Sequence, residues 1–147
     1  MIAVLPFFHI FGLSAILHTA VYWGIPVHVL PRFDLIKFCE VVEKEKITIA
    51  PLVPPIYVLL AKEEIILNYN LSSLRIGISG AAPLSGSLSR EVKARLPHLS
   101  IKQGYGLTEI SPAAIAEPLD HVIDGSIGVL LPNMTAKIVD EDGKGKT

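Results

Sequence analysis

From Ile2 to Pro31 the chain carries no acidic residue and no lysine, and its first arginine is Arg32. Pro6, Gly12, Gly24, Pro26 and Pro31 divide that apolar run into short pieces. Residues 3–5 read as a buried strand. Residues 10–22, apolar almost all round, read as a buried helix, and the β-branched run 27–30 reads as another strand. Polar positions then enter at helical spacing. Leu35, Phe38, Cys39 and Val42 alternate with Lys37, Glu40, Glu43 and Lys44, an amphipathic helix over 35–46 with Asp34 as its N-cap. A strand is expected over 47–50, broken by Pro51, Pro54 and Pro55, and a helix over 56–66. A polar turn over 68–73, a strand over 74–79, a helix over 86–96 opened by Pro83-Leu84-Ser85 and stopped by Pro97, and a strand over 99–103 follow. Arg90, Glu91, Lys93 and Arg95 belong on the solvated face of that last helix.

After Glu109 the rhythm shortens. Residues 112–117, 126–130 and 135–140 are strand-like, and Glu141-Asp142-Gly143 is a hairpin-type turn with no second strand expected after it. Strands alternating with helices imply an α/β fold, a mostly parallel sheet with helices on both faces, followed by the start of a β-rich segment. A boundary near residue 111 divides the chain into 1–111 and 112–147. In such sheets ligands bind beyond the carboxyl ends of the strands. The stretches 79–83 and 103–109 both fall there.

Composition sharpens this picture. Half of the 147 residues are apolar and 18% are charged, against about 25% charged in an ordinary soluble domain. Such a chain is either a membrane protein or the buried heart of a larger globular one. Proline punctuation, the scattered His9, His18 and His28 and the lack of flanking positive charge argue against a spanning helix. No basic residue precedes the apolar start, so a signal peptide is a poor fit. A net charge of −1 steers the chain toward neither nucleic acid nor an anionic membrane. Cys39, the single cysteine, reads as a small buried hydrophobe in a reduced intracellular compartment.

The candidate chemistry centres on Gln103-Gly104-Tyr105-Gly106-Leu107-Thr108-Glu109. Two glycines flanking a tyrosine let backbone approach a flat ligand while the ring stacks on it. Thr108 offers a hydroxyl to a phosphate oxygen, and Glu109 a hard oxygen ligand suited to Mg²⁺. On residue types alone the same stretch also reads as a glycine-rich turn with a solvated glutamate. His18, His28, His98 and His121 have no metal-ligand spacing and read as structural or solvated. Asp120, Asp124, Glu141 and Asp142 read as turn residues.

The Gly-Tyr-Gly-x-Thr-Glu core resembles that of the AMP-forming acyl-CoA synthetases, the adenylate-forming superfamily that includes 4-coumarate–CoA ligases and firefly luciferase. Leu5-Pro6-Phe7-Phe8-His9 resembles that family's Leu-Pro-x-(Phe/Tyr)-His block, and Ser79-Gly80-Ala81-Ala82-Pro83-Leu84 its Ser-Gly-(Ala/Gly)-Ala-Pro-Leu block. Three blocks in register span essentially the whole chain. The resemblance implies a reaction in which ATP and a carboxylic acid form an acyl-adenylate, which coenzyme A then converts to a thioester. It assigns Gly80, Ala81, Ala82 and Pro83 to one wall of an adenine slot and Gln103, Gly104, Tyr105 and Gly106 to the other. It places Thr108 at the AMP phosphate, Glu109 at Mg²⁺, and His9 beside the acyl carboxylate. It lines the acid pocket with Phe11, Ala15, Ile78, Gln103, Gly106, Leu107, Pro112 and Ala113.

Within that resemblance, Ala82-Pro83 separates the chain from the amino-acid-adenylating branch, whose block is typically Gly-Gly-Glu. Phe11 stands where plant hydroxycinnamate ligases usually carry tyrosine, which puts 4-coumarate itself in doubt as the acid. The family's phosphate loop is expected before Met1, and its ribose-binding aspartate, hinge and lid lysine after Thr147. The chain is thus expected to be an internal fragment with negligible ligase activity alone. An inactive remnant with weak nucleotide binding, a luciferase-like enzyme and a membrane protein are the alternatives. The setting expected for the parent enzyme is cytoplasmic or peroxisomal, without nucleic-acid partners or a membrane span.

Overall fold

A computed structural model describes residues 1–118, 120 and 123–145. Two sheets organise it. The short parallel strands β1 (Ile2–Ala3) and β2 (His28–Val29) pair with each other. Strands β3 (Ile49–Leu52), β4 (Ile76–Ser79), β5 (Ser100–Gly106), β6 (Ala113–Ala116) and β7 (Val129–Leu130) form the second sheet in that spatial order. Its β3, β4 and β5 run parallel, and β6 and β7 return antiparallel.

Period-two alternation along β3 shows how the layers are assigned. Ala50 and Leu52 join a core built with α2 (Leu35–Glu45), α3 (Pro54–Lys62) and α4 (Gly86–Arg95) through Phe38, Val42, Tyr57, Leu60 and Val92. Ile49 points the other way, into a smaller core with Met1, Ala3 and Ile16. Helices therefore cover both faces, as the α/β pattern predicts.

Asp34 caps α2, its carboxylate accepting from Lys37 N at 2.8 Å. Ser85 does the same for α4 through Leu88 N at 3.2 Å. Cys39 is fully buried, and burial, helped by Glu43, pushes its thiol up to about 11. His98 reaches Leu71 O at 2.9 Å, a structural role. His121 lies outside the described residues. Among these residues no helix is long and apolar enough to cross a membrane.

Several elements differ from the sequence pattern; the strands expected over 3–5 and 126–130 are the two-residue β1 and β7. The expected buried helix over 10–22 is a π-helical segment (Phe11–His18) leading into α1 (Thr19–Trp23). Only the stripe Gly12, Ile16 and Ala20, spaced by four, is buried, while Val21, Tyr22 and Trp23 are exposed. One face of the segment rests on the smaller core, and no second layer covers the rest among the described residues. Strand β3 starts two residues late and runs through Pro51. Thr48 O accepts from Ile76 N, so position 51 is out of phase with the bonds to β4 and its missing N–H breaks none.

The helix expected over 56–66 begins earlier, with Pro54 in its first turn, where a missing N–H is harmless. It ends at Lys62 and resumes as a 3₁₀ turn (Glu64–Asn68). Arg95, expected on a solvated face, instead donates to Glu63 O at 2.7 Å and Lys62 O at 3.3 Å, capping that break. The run 135–140 forms no strand beyond a single bridge between Val139 and Gly145, which closes over the turn at Gly143. Finally, β5 continues through Gly104, Tyr105 and Gly106, which sequence placed beyond the strand, because β6 folds back to pair with them.

Candidate functional site

The seam where the sheet changes from parallel to antiparallel holds a cavity of about 480 Å³. Its floor follows the register: Ile78 lies opposite Lys102 and Ile76 opposite Ser100. Strand β6 closes the far side with Ile115 and Ala116, and the π-helical segment contributes Phe11 and Ala15. Tight backbone contacts shape the walls. A Cβ on Gly80 would stand 3.1 Å from the Phe11 ring, and one on Gly106 would overlap Pro112 O. Gly106 needs glycine because the Pro112 carbonyl crosses it, whereas at Gly80 a Cβ would have to push the Phe11 ring back by a few tenths of an ångström.

The mouth is built from two loops and the turn before the π-helical segment. Beyond β5 the chain doubles back: Leu107 N donates to Pro112 O at 2.8 Å, and Thr108–Ile110 winds as a 3₁₀ turn. Ser14 Oγ donates to Ser111 O at 3.5 Å, tying this turn to the π-helical segment. Thr108 and Glu109 are thereby held at the opening with exposed side chains. Tyr105 is half exposed there. The facing loop after β4 carries Ala81 at φ 69, a left-handed conformation that a residue with a Cβ adopts under strain. At the third side, His9 Nδ1 accepts from Phe11 N at 3.1 Å, which leaves Nε2 as the protonated donor of a neutral imidazole.

The structure brings together nearly all the residues that the sequence singled out. His9, Phe11, Ala15, Ile78, Gly80, Ala81, Gln103, Gly104, Tyr105, Gly106, Leu107, Thr108, Glu109, Pro112 and Ala113 all line this one cavity. Ala82 and Pro83 lie exposed beyond its wall. Gln103 is there too, but its amide is already engaged: Oε1 accepts from Leu84 N at 3.0 Å and Nε2 donates to Ser126 O at 3.1 Å.

Among the polar lining residues, Lys102 and Glu117 were not singled out by the sequence, and Ser79 appeared there only as the first residue of its block. Strand period gave a signal for Lys102, which shares a face with Gly104 two positions on. Glu117 had none, since it arrives across the sheet. Its carboxylate accepts from Gln103 N at 2.6 Å and Ile123 N at 3.1 Å.

Two features test whether a nucleotide and a cation fit. Ser79 is 1% exposed and its Oγ has no hydrogen-bond partner among the described residues, yet it lines the cavity beside Gly80. A polar heterocycle in that slot would satisfy it, and the glycine-flanked Tyr105 offers a ring and bare backbone. No cluster of three or more His, Cys, Asp or Glu exists among the described residues. Glu109 alone suits Mg²⁺ only with phosphate oxygens and waters completing the shell, which is that ion's ordinary habit beside nucleotides.

Comparison with known proteins bears on these residues together. The model of the AMP-binding enzyme family matches residues 1–147. A probable 4-coumarate–CoA ligase 1 of Dictyostelium discoideum is 46% identical over 140 residues, 95% of this chain and 25% of the relative. The ATP-bound MatB of Rhodopseudomonas palustris superposes with a TM-score of 0.85 at 27% identity, over 99% of this chain and 29% of its own. An anthranilate CoA ligase bound to anthranoyl-AMP shares the fold, with a TM-score of 0.88 at 23% identity, over 99% of this chain and 28% of its own. The chain spans about a quarter of the length of the curated relatives it matches.

Proposed function

The chain belongs to the AMP-binding enzyme family, and from that premise we propose that it supplies the acid- and nucleotide-binding heart of an AMP-forming acid–CoA ligase. The observation that carries this reading is one cavity with two chemistries: an apolar chamber under a rim that holds His9, Tyr105, Thr108 and Glu109. An aryl or acyl tail fills the chamber and its carboxylate comes up at the rim. His9 Nε2–H donates to that carboxylate and orients one oxygen toward the α-phosphorus of ATP. That oxygen forms the new P–O bond as pyrophosphate leaves. The coenzyme A thiol, losing its proton, then attacks the acyl carbon, and AMP departs with the bonding pair.

The binding face would consist of Gly80 and Ala81 on one side of the adenine and Gly104, Tyr105 and Gly106 on the other. Thr108 Oγ–H would donate to the phosphate, strongest when charge builds there. Glu109 would hold Mg²⁺, which when bound neutralises phosphate charge. The apolar chamber selects by shape and length, so positioning does most of the work. A cytoplasmic or peroxisomal setting goes with this reading, as does the division of the chain near residue 111.

A non-hydrolysable acyl-sulfamoyl adenosine joins both halves of the intermediate in one molecule and gives a direct test. Calorimetric titration is expected to show it binding at least about 100-fold tighter than AMP, since the second half attaches without a second loss of translational freedom. Affinity equal to that of AMP would overturn the reading.

A further inference from the structure

The cavity holds polar side chains of two kinds, and they differ in what they leave for a ligand. His9, Tyr105, Thr108 and Glu109 are exposed at the mouth. The walls carry Lys102, Gln103 and Glu117, which are 6%, 7% and 8% exposed. Each of these three is already committed to another part of the chain. Lys102 donates to Pro118 O at 2.7 Å and holds a further partner besides. The Gln103 amide joins Leu84 N to Ser126 O, and both Glu117 oxygens accept from backbone amides, those of Gln103 and Ile123. Together they fasten β5 to the segment that follows β6. Ser79 stands out of phase with Ile76 and Ile78, beside Gly80 in the slot assigned to the nucleotide. What remains for a tail is Phe11, Ala15, Ile76, Ile78 and Ile115, none with a polar side-chain atom.

We infer that the chamber selects monocarboxylic acids, aryl or alkyl, whose tail carries no polar atom, and rejects a hydroxylated tail of the same shape. The inference rests on the proposed function, since it takes the cavity to be the acid site. A hydroxyl carried into the chamber loses its water and meets hydrocarbon, or else a side chain whose present bonds it would have to break. Breaking those of Gln103 or Glu117 would leave buried backbone amides unpaired and loosen the fastening of β5. The hydroxyl therefore stays unpaired. An apolar wall rejects such an isostere by about ten- to a hundredfold, a preference and not an absolute exclusion.

The test is calorimetric titration of the chain with isosteric pairs, 4-methylcinnamate against 4-coumarate and nonanoate against 8-hydroxyoctanoate. Within each pair the tails match in length and bulk and differ by a methyl against a hydroxyl, so size cancels. The hydrocarbon member is expected to bind at least about tenfold tighter. Ala15→Ser and Ile78→Thr each place a hydroxyl on the wall, and Ile78→Val is the apolar control for the second. The ratio is expected to persist in Ile78→Val and to fall by about threefold or more where a wall hydroxyl meets the tail. Ala15→Ser, the smaller change, carries the comparison if Ile78→Thr is unfolded by circular dichroism. Equal affinities in the unaltered chain, or tighter binding of the hydroxylated member, would overturn the inference while leaving the acid site in place. So would a ratio unmoved in every folded hydroxyl variant. Binding of no acid at all would overturn both the inference and the proposed function.

Discussion

Ala81 is the strained residue of the cavity wall. It sits at φ 69 in the loop that faces the glycine-flanked tyrosine, one of four residues other than glycine with positive φ among those described. Strain of this kind is stored where a backbone must be presented in one orientation. The sequence block that Ser79-Gly80-Ala81-Ala82 resembles accepts glycine as well as alanine at this place, and glycine is the residue that takes a left-handed conformation without strain. Replacing Ala81 by glycine is expected to leave urea-unfolding stability within about 1 kcal/mol, since relief of strain offsets the greater freedom of the unfolded chain. Valine, branched at Cβ, is expected to lower it by about 2 kcal/mol. Equal effects of the two substitutions would mean that the loop relaxes and is not held. Ser79, next but one before it, is the complementary case: a buried hydroxyl without a partner among the described residues, and so a position that gains from an occupant.

At the scale of elements, Gln103 joins parts that the chain separates. Its amide bonds Leu84 N at the start of the approach to α4 and Ser126 O in the segment before β7, while its backbone N–H reaches Glu117 beyond β6. Gln103→Leu keeps the volume but leaves the Leu84 amide buried without an acceptor, and is expected to cost about 2 kcal/mol in thermal or urea unfolding. A change below about 0.5 kcal/mol would show that water replaces the side chain. Asp124 adds a second clamp, bonding Lys93 of α4 at 2.8 Å; that bond holds its carboxyl below the ordinary carboxylate range.

Much of this was legible beforehand. The amphipathic α2 with its Asp34 cap, the Pro-Leu-Ser opening of α4 and the alternation that yields a wound sheet all follow from local spacing. Three things were not. Continuation of β5 through its glycines depends on β6 returning to pair with it, a contact no local pattern encodes. The π-helical segment 11–18 bonds i to i+5 where an α-helix bonds i to i+4, and a run that is apolar almost all round does not encode that one-residue difference. Glu117 reaches the cavity through strand pairing alone, whereas alternation along β5 sets Lys102 on the same face as Gly104.

At the scale of the molecule, the cavity exists because the sheet reverses sense. Three parallel strands deliver the loops after β4 and β5 to one rim, the placement expected of ligand sites in wound sheets. The antiparallel return of β6 then closes the side that a further parallel strand would have left to a helix. One wall carries the small and strained residues of the first loop, the other the glycines, ring, hydroxyl and carboxylate of the second, and His9 meets them from the chain's first turn. The membership of the chain in the AMP-binding enzyme family agrees with that convergence. On the proposed function, these two loops grip one nucleotide between them above the chamber that takes the acid. That grip is tested most directly by titrating AMP into the uniformly ¹⁵N-labelled chain and following the backbone amides. Saturable shifts are expected at Ser79, Gly80, Ala81, Gly104, Tyr105, Gly106, Thr108 and Glu109, with α2 unmoved. Shifts confined to another surface, or no saturable shift at either loop, would contradict it.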